Sequence, residues 1–120
     1  MSWYSKISST NEIEAIRQAL KTQYTGLELD IWQHENYIEL ARIELPKDMR
    51  DQGIGTQIIQ KLQDYAKAQN LPLVVSPEAD KNKKQALDRF YRNLGFINNK
   101  GRNMDYTLSS PFRRTMYWRP

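Results

Sequence analysis

The stretch Leu40–Ile59, LARIELPKDMRDQGIGTQII, decides how this chain folds. Its first part continues a strand that begins near Tyr37, YIELARIEL (37–45), and Pro46 ends it. Within that strand Ile38 and Leu40 share one parity, while Ile43 and Leu45 share the other. A regular strand sends the two pairs to opposite faces. One extra residue near Ala41–Arg42, a β-bulge, would bring all four to one face, and a strand buried on both faces is the alternative. Two of the chain's five glycines then follow in Arg50-x-x-Gly53-x-Gly55. Beyond them Ile58, Leu62, Tyr65 and Ala66 recur at helical spacing up to about Ala68.

Strand, glycine turn and helix form a layout with a physical use. The first turn of a helix has N–H groups without partners, and the helix dipole adds positive potential there. Anions bind at such places. Gly53 and Gly55 are expected to remove Cβ atoms that would hold an anion away, and Arg50 adds a guanidinium that can fork onto phosphate oxygens. A glycine pair alone is also simply a tight turn. The pattern is not a P-loop, because no Gly-Lys-Ser/Thr follows at the required distance, and Ile58 breaks the dinucleotide pattern G-x-G-x-x-G.

Outward from this centre, NEIEAIRQALKTQYTG (11–26) reads as a helix capped by Ser9 or Thr10, with Ile13, Ile16 and Leu20 as its apolar stripe and Gly26 closing it. LELDIWQ (27–33) alternates as a strand and should pair with 37–45 through a turn at 34–36. Downstream, LPLVVS (71–76) reads as a central buried strand and PEADKNKK (77–84) as a polar loop. KQALDRFYRNLG (84–95) reads as a helix with Ala86, Leu87, Phe90, Tyr91 and Leu94 inward and Gly95 at its end. FIN and TMYW read as closing strands. The order α-β-β-α-β-α-β-β predicts a mixed sheet with helices on its faces.

Composition bounds the function classes. The length of 120 residues predicts a single domain over 1–120. No apolar run approaches a bilayer span, so no membrane partner is expected. Cysteine is absent, which removes disulfides, thiolate metal sites and a cysteine nucleophile. With no charged-then-apolar leader, this suggests a reducing, cytoplasmic setting. A lone histidine, His34, makes a metal site unexpected. The net charge of +4 is uneven: residues 1–49 carry 5 Lys/Arg against 8 Asp/Glu, and residues 50–120 carry 13 against 6. The basic half favours an anionic ligand or acidic partner, or is a solvated face.

Arg50-x-x-Gly53-x-Gly55 resembles the Q/R-x-x-G-x-G/A signature of the GNAT superfamily of acyl-CoA-dependent N-acyltransferases. LARIELPKDMRDQGIGTQII is similar to that family's bulged strand, glycine turn and following helix, and LDRFYRNLGF (87–96) to its later F-Y-x-x-x-G-F landmark. Together they cover residues 37–97. The resemblance implies an α+β fold, with a central mixed, mostly antiparallel sheet flanked by helices and a shortened region ahead of the bulged strand. Only SWYSKI (2–7) is available there as a first strand.

It also implies acetyl-CoA as co-substrate, with no metal. Its pyrophosphate would rest on the backbone at Gln52, Gly53, Ile54, Gly55 and Thr56, assisted by Arg50. Its pantetheine arm would lie along Ile43, Glu44 and Leu45, in the gap where this strand splays from 73–76. Tyr91 occupies the general-acid position, though its helical face is equally that of a core residue; Glu39 and Glu44 are candidate bases, acting directly or through water. A backbone N–H near Arg42–Ile43 would serve the oxyanion. The family's cofactor-contacting asparagine, seven residues before the tyrosine, is replaced by Lys84, and the nearest asparagine is Asn82. The short leading region implies an open acceptor site suited to a protein or peptide amine.

The implied reaction is transfer of an acetyl group to a primary amine in a ternary complex. A non-catalytic acyl-CoA-binding or interaction module is one alternative. A small nucleic-acid-binding protein is another, using the tail PFRRTMYWRP (111–120), where Phe112, Tyr117 and Trp118 interleave with Arg113, Arg114 and Arg119. That tail is also readable as a last strand with an arginine rim, a homodimer contact, or a groove lining that attracts acidic substrates.

Overall fold

The computed structural model describes residues 3–77, 84–102, 104–109 and 114–120, with side chains described from residue 12 onward. Helix α1 (Trp3–Gln23) leads into strands β1 (Glu28–Gln33) and β2 (Ile38–Glu44). Helix α2 (Ile54–Gln69), strand β3 (Leu73–Val75), helix α3 (Lys84–Asn93) and strands β4 (Ile97–Asn98) and β5 (Met116–Trp118) follow. Short 3-10 turns occupy Lys47–Met49 and Tyr106–Leu108. The five strands lie in the order β1-β2-β3-β5-β4. Only β2 and β3 pair in parallel; the other neighbours are antiparallel.

The bulge expected in β2 is present. Asp30 pairs with Arg42 and Ile31 with Leu40, so Ala41 has no partner on β1. Ile38 and Leu40 are buried, and Ile43 and Leu45 pack against the same core from the other side of the bulge. One inserted residue therefore reconciles the two parities.

Register carries each face across the whole sheet. Ile31, Leu40, Val75 and Met116 form one row, and Ile38, Leu73 and Trp118 the next. These side chains join a single core with Ile13 and Leu20 of α1, Ile58, Ile59, Leu62 and Ala66 of α2, and Tyr91 of α3. The opposite face carries Trp32, Glu39, Val74, Tyr117 and Ile97, also in register, with Trp32 59% and Ile97 54% exposed. All three helices thus gather on one face rather than on both. The physical reason is handedness: β2–α2–β3 and β3–α3–β4 step the same way across the sheet between parallel strands, and right-handed crossovers place both helices on the same side. The molecule is accordingly thin, 47 × 41 × 23 Å.

Several boundaries differ from expectation. The first helix begins at Trp3, ahead of Ser9 and Thr10. SWYSKI therefore supplies helix from Trp3 onward and no strand, since extending an existing helix avoids the cost of a new nucleus. Gly26 lies three residues beyond its end, in the turn into β1. Ala86 is exposed, because the inward arc of α3 is narrower than the apolar pattern suggests and centres on Tyr91. That helix does close at Gly95 (φ 93°), where the Phe96 N–H donates to the Tyr91 carbonyl at 3.0 Å. A left-handed residue there is the ordinary helix exit into β4.

Candidate functional site

Beyond Leu40 and Val75, β2 and β3 have no further paired residues. Past the bulge, Arg42, Ile43 and Glu44 keep their partners on β1 but leave β3. The divergence opens a slot of about 580 Å³. Leu40, Val75, Leu87 and Tyr91 line it from the helix side, and Asp30, Arg42 and Glu44 from the side of the sheet away from the helices. Ser76 and Pro77 continue the wall where β3 ends.

Tyr91 is held by α3 against the core. Its ring meets Phe90 and Phe96 edge-on, with centroids 5.1 and 5.3 Å away. Only 4% of the residue is exposed. No described residue bonds its hydroxyl, yet no fully sealed side-chain polar atom among the described residues lacks a partner. The hydroxyl therefore opens onto the slot. Burial pushes its pKa up to about 12, so at neutral pH it carries its proton. Above the ordinary thiol value of about 8.5, such a phenol acts on a developing thiolate as a hydrogen-bond donor.

The glycine turn lies at the exit of β2. Gly53 is the residue before α2, with φ 77°, and as a glycine it supplies no capping side chain. The first α2 backbone donor with a protein acceptor is Gln57, to the Gly53 carbonyl at 3.1 Å. The N–H groups of Ile54, Gly55 and Thr56 have no acceptor among the described residues. Asp51 is also left-handed (φ 63°), a strain of about 1 kcal/mol and a backbone habit of anion-binding nests.

The two glycines differ. A Cβ at Gly53 would stand in open space, whereas one at Gly55 would meet Phe90 Cζ at 3.5 Å and Leu45 Cδ1 at 3.9 Å. The expectation that both glycines keep Cβ atoms out of an anion's way is thus corrected for Gly55, which faces the packing between α2, α3 and the end of β2, while the Gly53 position faces open space. An uncapped first turn beside open space fits a pyrophosphate.

The remaining candidates are placed as follows. Arg50 donates from Nε to the Leu45 carbonyl at 2.9 Å, and its guanidinium stands 3.9 Å from Glu44. It braces the turn against β2, so the Leu45 carbonyl is already engaged. Gln52 bonds the Asp48 carbonyl at 2.6 Å and closes the same turn. Glu44 lines the slot and accepts from Arg42 at 3.0 Å. Glu39 does not line the slot; its carboxylate lies 2.8 Å from His34 Nε2, and that imidazole stacks on Tyr37. Asn82 lies outside the described residues, as do Phe112 and Arg113 of the tail.

Two polar slot residues were missed from sequence. Asp30 and Ser76 stand in stretches that read as ordinary strand, and only the register across the bulge brings Asp30 opposite Arg42. In the tail, Arg114 pairs with Asp88 at 2.7 Å and also bonds Asn98. Arg119 pairs with Asp105 and covers the Tyr117 ring. These two cations serve internal contacts, and β5 sits inside the sheet. Among the described residues there is no cluster suited to a metal ion and no helix long and apolar enough to cross a membrane.

Comparison with known proteins agrees with this geometry. Residues 20–96 match the sequence model of the acetyltransferase (GNAT) family. Among solved structures, the anti-CRISPR protein AcrVA5 is similar with a TM-score of 0.57 and 24% identity, over 78% of this chain and 90% of that one. A putative N-acetyltransferase from Lactobacillus plantarum is similar with a TM-score of 0.52 and 19% identity, over 78% of this chain and 57% of that one. At these identities the two structures speak for the fold. No curated protein sequence matches. The family match spans well over half of the chain and contains the bulged strand, the glycine turn and the helix of Tyr91, so this protein belongs to the GNAT acetyltransferase family.

Proposed function

We propose that this single-domain chain is an acetyl-CoA-dependent N-acetyltransferase acting on a primary amine by direct transfer. The observation that carries the reading is the Tyr91 hydroxyl, buried, protonated and unpartnered, opening onto the slot where β2 leaves β3. Acetyl-CoA would supply the activated thioester. Its pyrophosphate would be held by the N–H groups of Gln52, Gly53, Ile54, Gly55 and Thr56, with Arg50 fixing the turn that presents them. The main chain of Ile43 and Glu44, unpaired on the β3 side, offers strand-like partners for an extended arm.

In this reading Tyr91 holds a proton where negative charge develops on sulfur. Glu44, the candidate carboxylate on the slot, takes the proton of the incoming ammonium directly or through water. Trp32 on β1, 59% exposed, leaves the slot's edge-strand side open, which suits an amine borne on a protein or peptide. With no cysteine in the chain, an acyl-thiol intermediate has no residue to form on.

The test is incubation with isotopically labelled acetyl-CoA and a pool of amines and peptides. Labelled amide with stoichiometric CoA release is expected. CoA-induced stabilisation without any labelled product would reduce the chain to an acyl-CoA-binding module, and neither would remove the reading altogether.

A further inference from the structure

We infer that Tyr24 is a positioning residue for coenzyme A, its hydroxyl holding the first turn of α2 in place from the end of α1. The inference rests on the pyrophosphate reading of that turn. It starts from a conflict within the turn itself. A helix start holds an anion only while its N–H groups are uncapped, and Gly53 brings no capping side chain. An uncapped first turn also frays, and a frayed turn must be ordered each time a ligand binds. The hold on this turn therefore has to come from elsewhere in the fold.

One connected set of side-chain bonds supplies it. The Tyr24 hydroxyl donates to Gln57 Oε1 at 3.1 Å and accepts from Gln23 Nε2 at 3.1 Å. Lys61, one turn along α2 from Gln57, donates to Gln23 Oε1 at 3.2 Å. Residues four apart share a helix face, so Gln23 and Tyr24 grip two successive turns of α2. Gln57 directly follows Ile54, Gly55 and Thr56, and its own N–H is the first in α2 with a protein acceptor. Tyr24 is buried in the core, which makes its hydroxyl a firm anchor. The same piece of chain reaches the other end of the pyrophosphate turn. The Leu27 N–H donates to the Tyr24 carbonyl at 3.0 Å, and Gly26 between them has φ 92°. A Cβ on Gly26 would stand 2.9 Å from Pro46 Cγ, so glycine is what lets this piece of chain seat on the residue that ends β2. Residues 23–27 thus hold both Pro46 and Gln57, the two ends of the segment that presents the amides.

The test compares two tyrosine hydroxyls that both tie α2 to a neighbouring element. Tyr24 bonds the start of the helix, and Tyr65 bonds Gln33 of β1 from its later half. Tyr24→Phe should raise the CoA dissociation constant about fivefold in isothermal titration, the factor of one hydrogen bond. Pantetheine, which lacks the pyrophosphate, should bind Tyr24→Phe and the wild type alike when followed by amide NMR. Tyr65→Phe, the same loss of a hydroxyl from the other end of α2, should leave the CoA constant unchanged. Gln57→Ala should reproduce Tyr24→Phe, and the double variant should lose no more than either alone, because the two side chains act as one unit. Tyr24→Phe binding CoA as the wild type does, losing no more affinity than Tyr65→Phe, or losing as much for pantetheine as for CoA, overturns the inference while leaving the pyrophosphate site standing. Wild-type protein that binds no CoA overturns the reading of the turn and this inference with it.

Discussion

Gly53 and Gly55 sit one residue apart, yet alanine should act on them in opposite directions. Gly53 has φ 77°. Alanine there adopts a left-handed conformation at a cost of about 1 kcal/mol, and nothing stands within 4 Å to offset or worsen it. Gly55 lies inside α2 without a positive φ, and its new methyl would touch Phe90 and Leu45 at ordinary van der Waals distance. Helix propensity favours alanine over glycine by about 1 kcal/mol, so Gly55→Ala should be neutral to stabilising by that amount. The two variants should therefore differ by about 1–2 kcal/mol in urea unfolding, read at constant m. Ligand binding separates them again. The Gly53 methyl stands in open space, and the left-handed turn it strains is the one that presents the unpartnered N–H groups, so Gly53→Ala should weaken CoA binding; the Gly55 methyl points into packing and should not. Destabilisation of Gly55→Ala by more than about 1 kcal/mol would show that Phe90 cannot accommodate the contact and would refute this account of the turn.

Tyr91→Phe should keep the fold, since the hydroxyl has no protein partner, and lower kcat by about 10²-fold, the low end for a positioned proton donor; unchanged turnover would remove Tyr91 from the chemistry. The same variant has an alkaline signature. With the folded pKa raised from 10.0 to about 12, the phenol resists ionisation only when folded, so stability is full below pH 10 and falls as pH rises from 10 to 12. Tyr91→Phe should remove most of that decline, on the order of 3 kcal/mol, measured by chemical unfolding across the window. Arg50→Ala deletes the brace to the Leu45 carbonyl and should cost about 1 kcal/mol of stability while raising the CoA dissociation constant. A loss of affinity with no loss of stability would place Arg50 on the ligand and not on the turn.

What the sequence disclosed, and what it hid, follows from how locally each feature is encoded. The bulge was legible because two apolar pairs of opposite parity in one strand have few ways to share a core. The turn was legible because a glycine pair before an amphipathic helix is a local pattern, and the inward place of Tyr91 because its helix carries its own period. The direction of the Gly55 Cβ was not legible, since it depends on Phe90 arriving from α3. Asp30 was hidden for the same reason: along its own strand it is an ordinary polar position, and its place on the slot exists only through pairing across the bulge. The gathering of all helices on one face was implicit in strand order and handedness, but strand order itself is non-local. The start of α1 was misjudged because Ser9 and Thr10 look like caps, although both also fit within a helix that is already propagating.

The claim under all of this is that the unpartnered amides at the start of α2 grip a pyrophosphate. Amide NMR during titration with coenzyme A measures it most directly. The account predicts that the N–H resonances of Ile54, Gly55 and Thr56 move downfield and saturate together, ahead of any change in α1. Saturating coenzyme A that leaves those three resonances in place would contradict it.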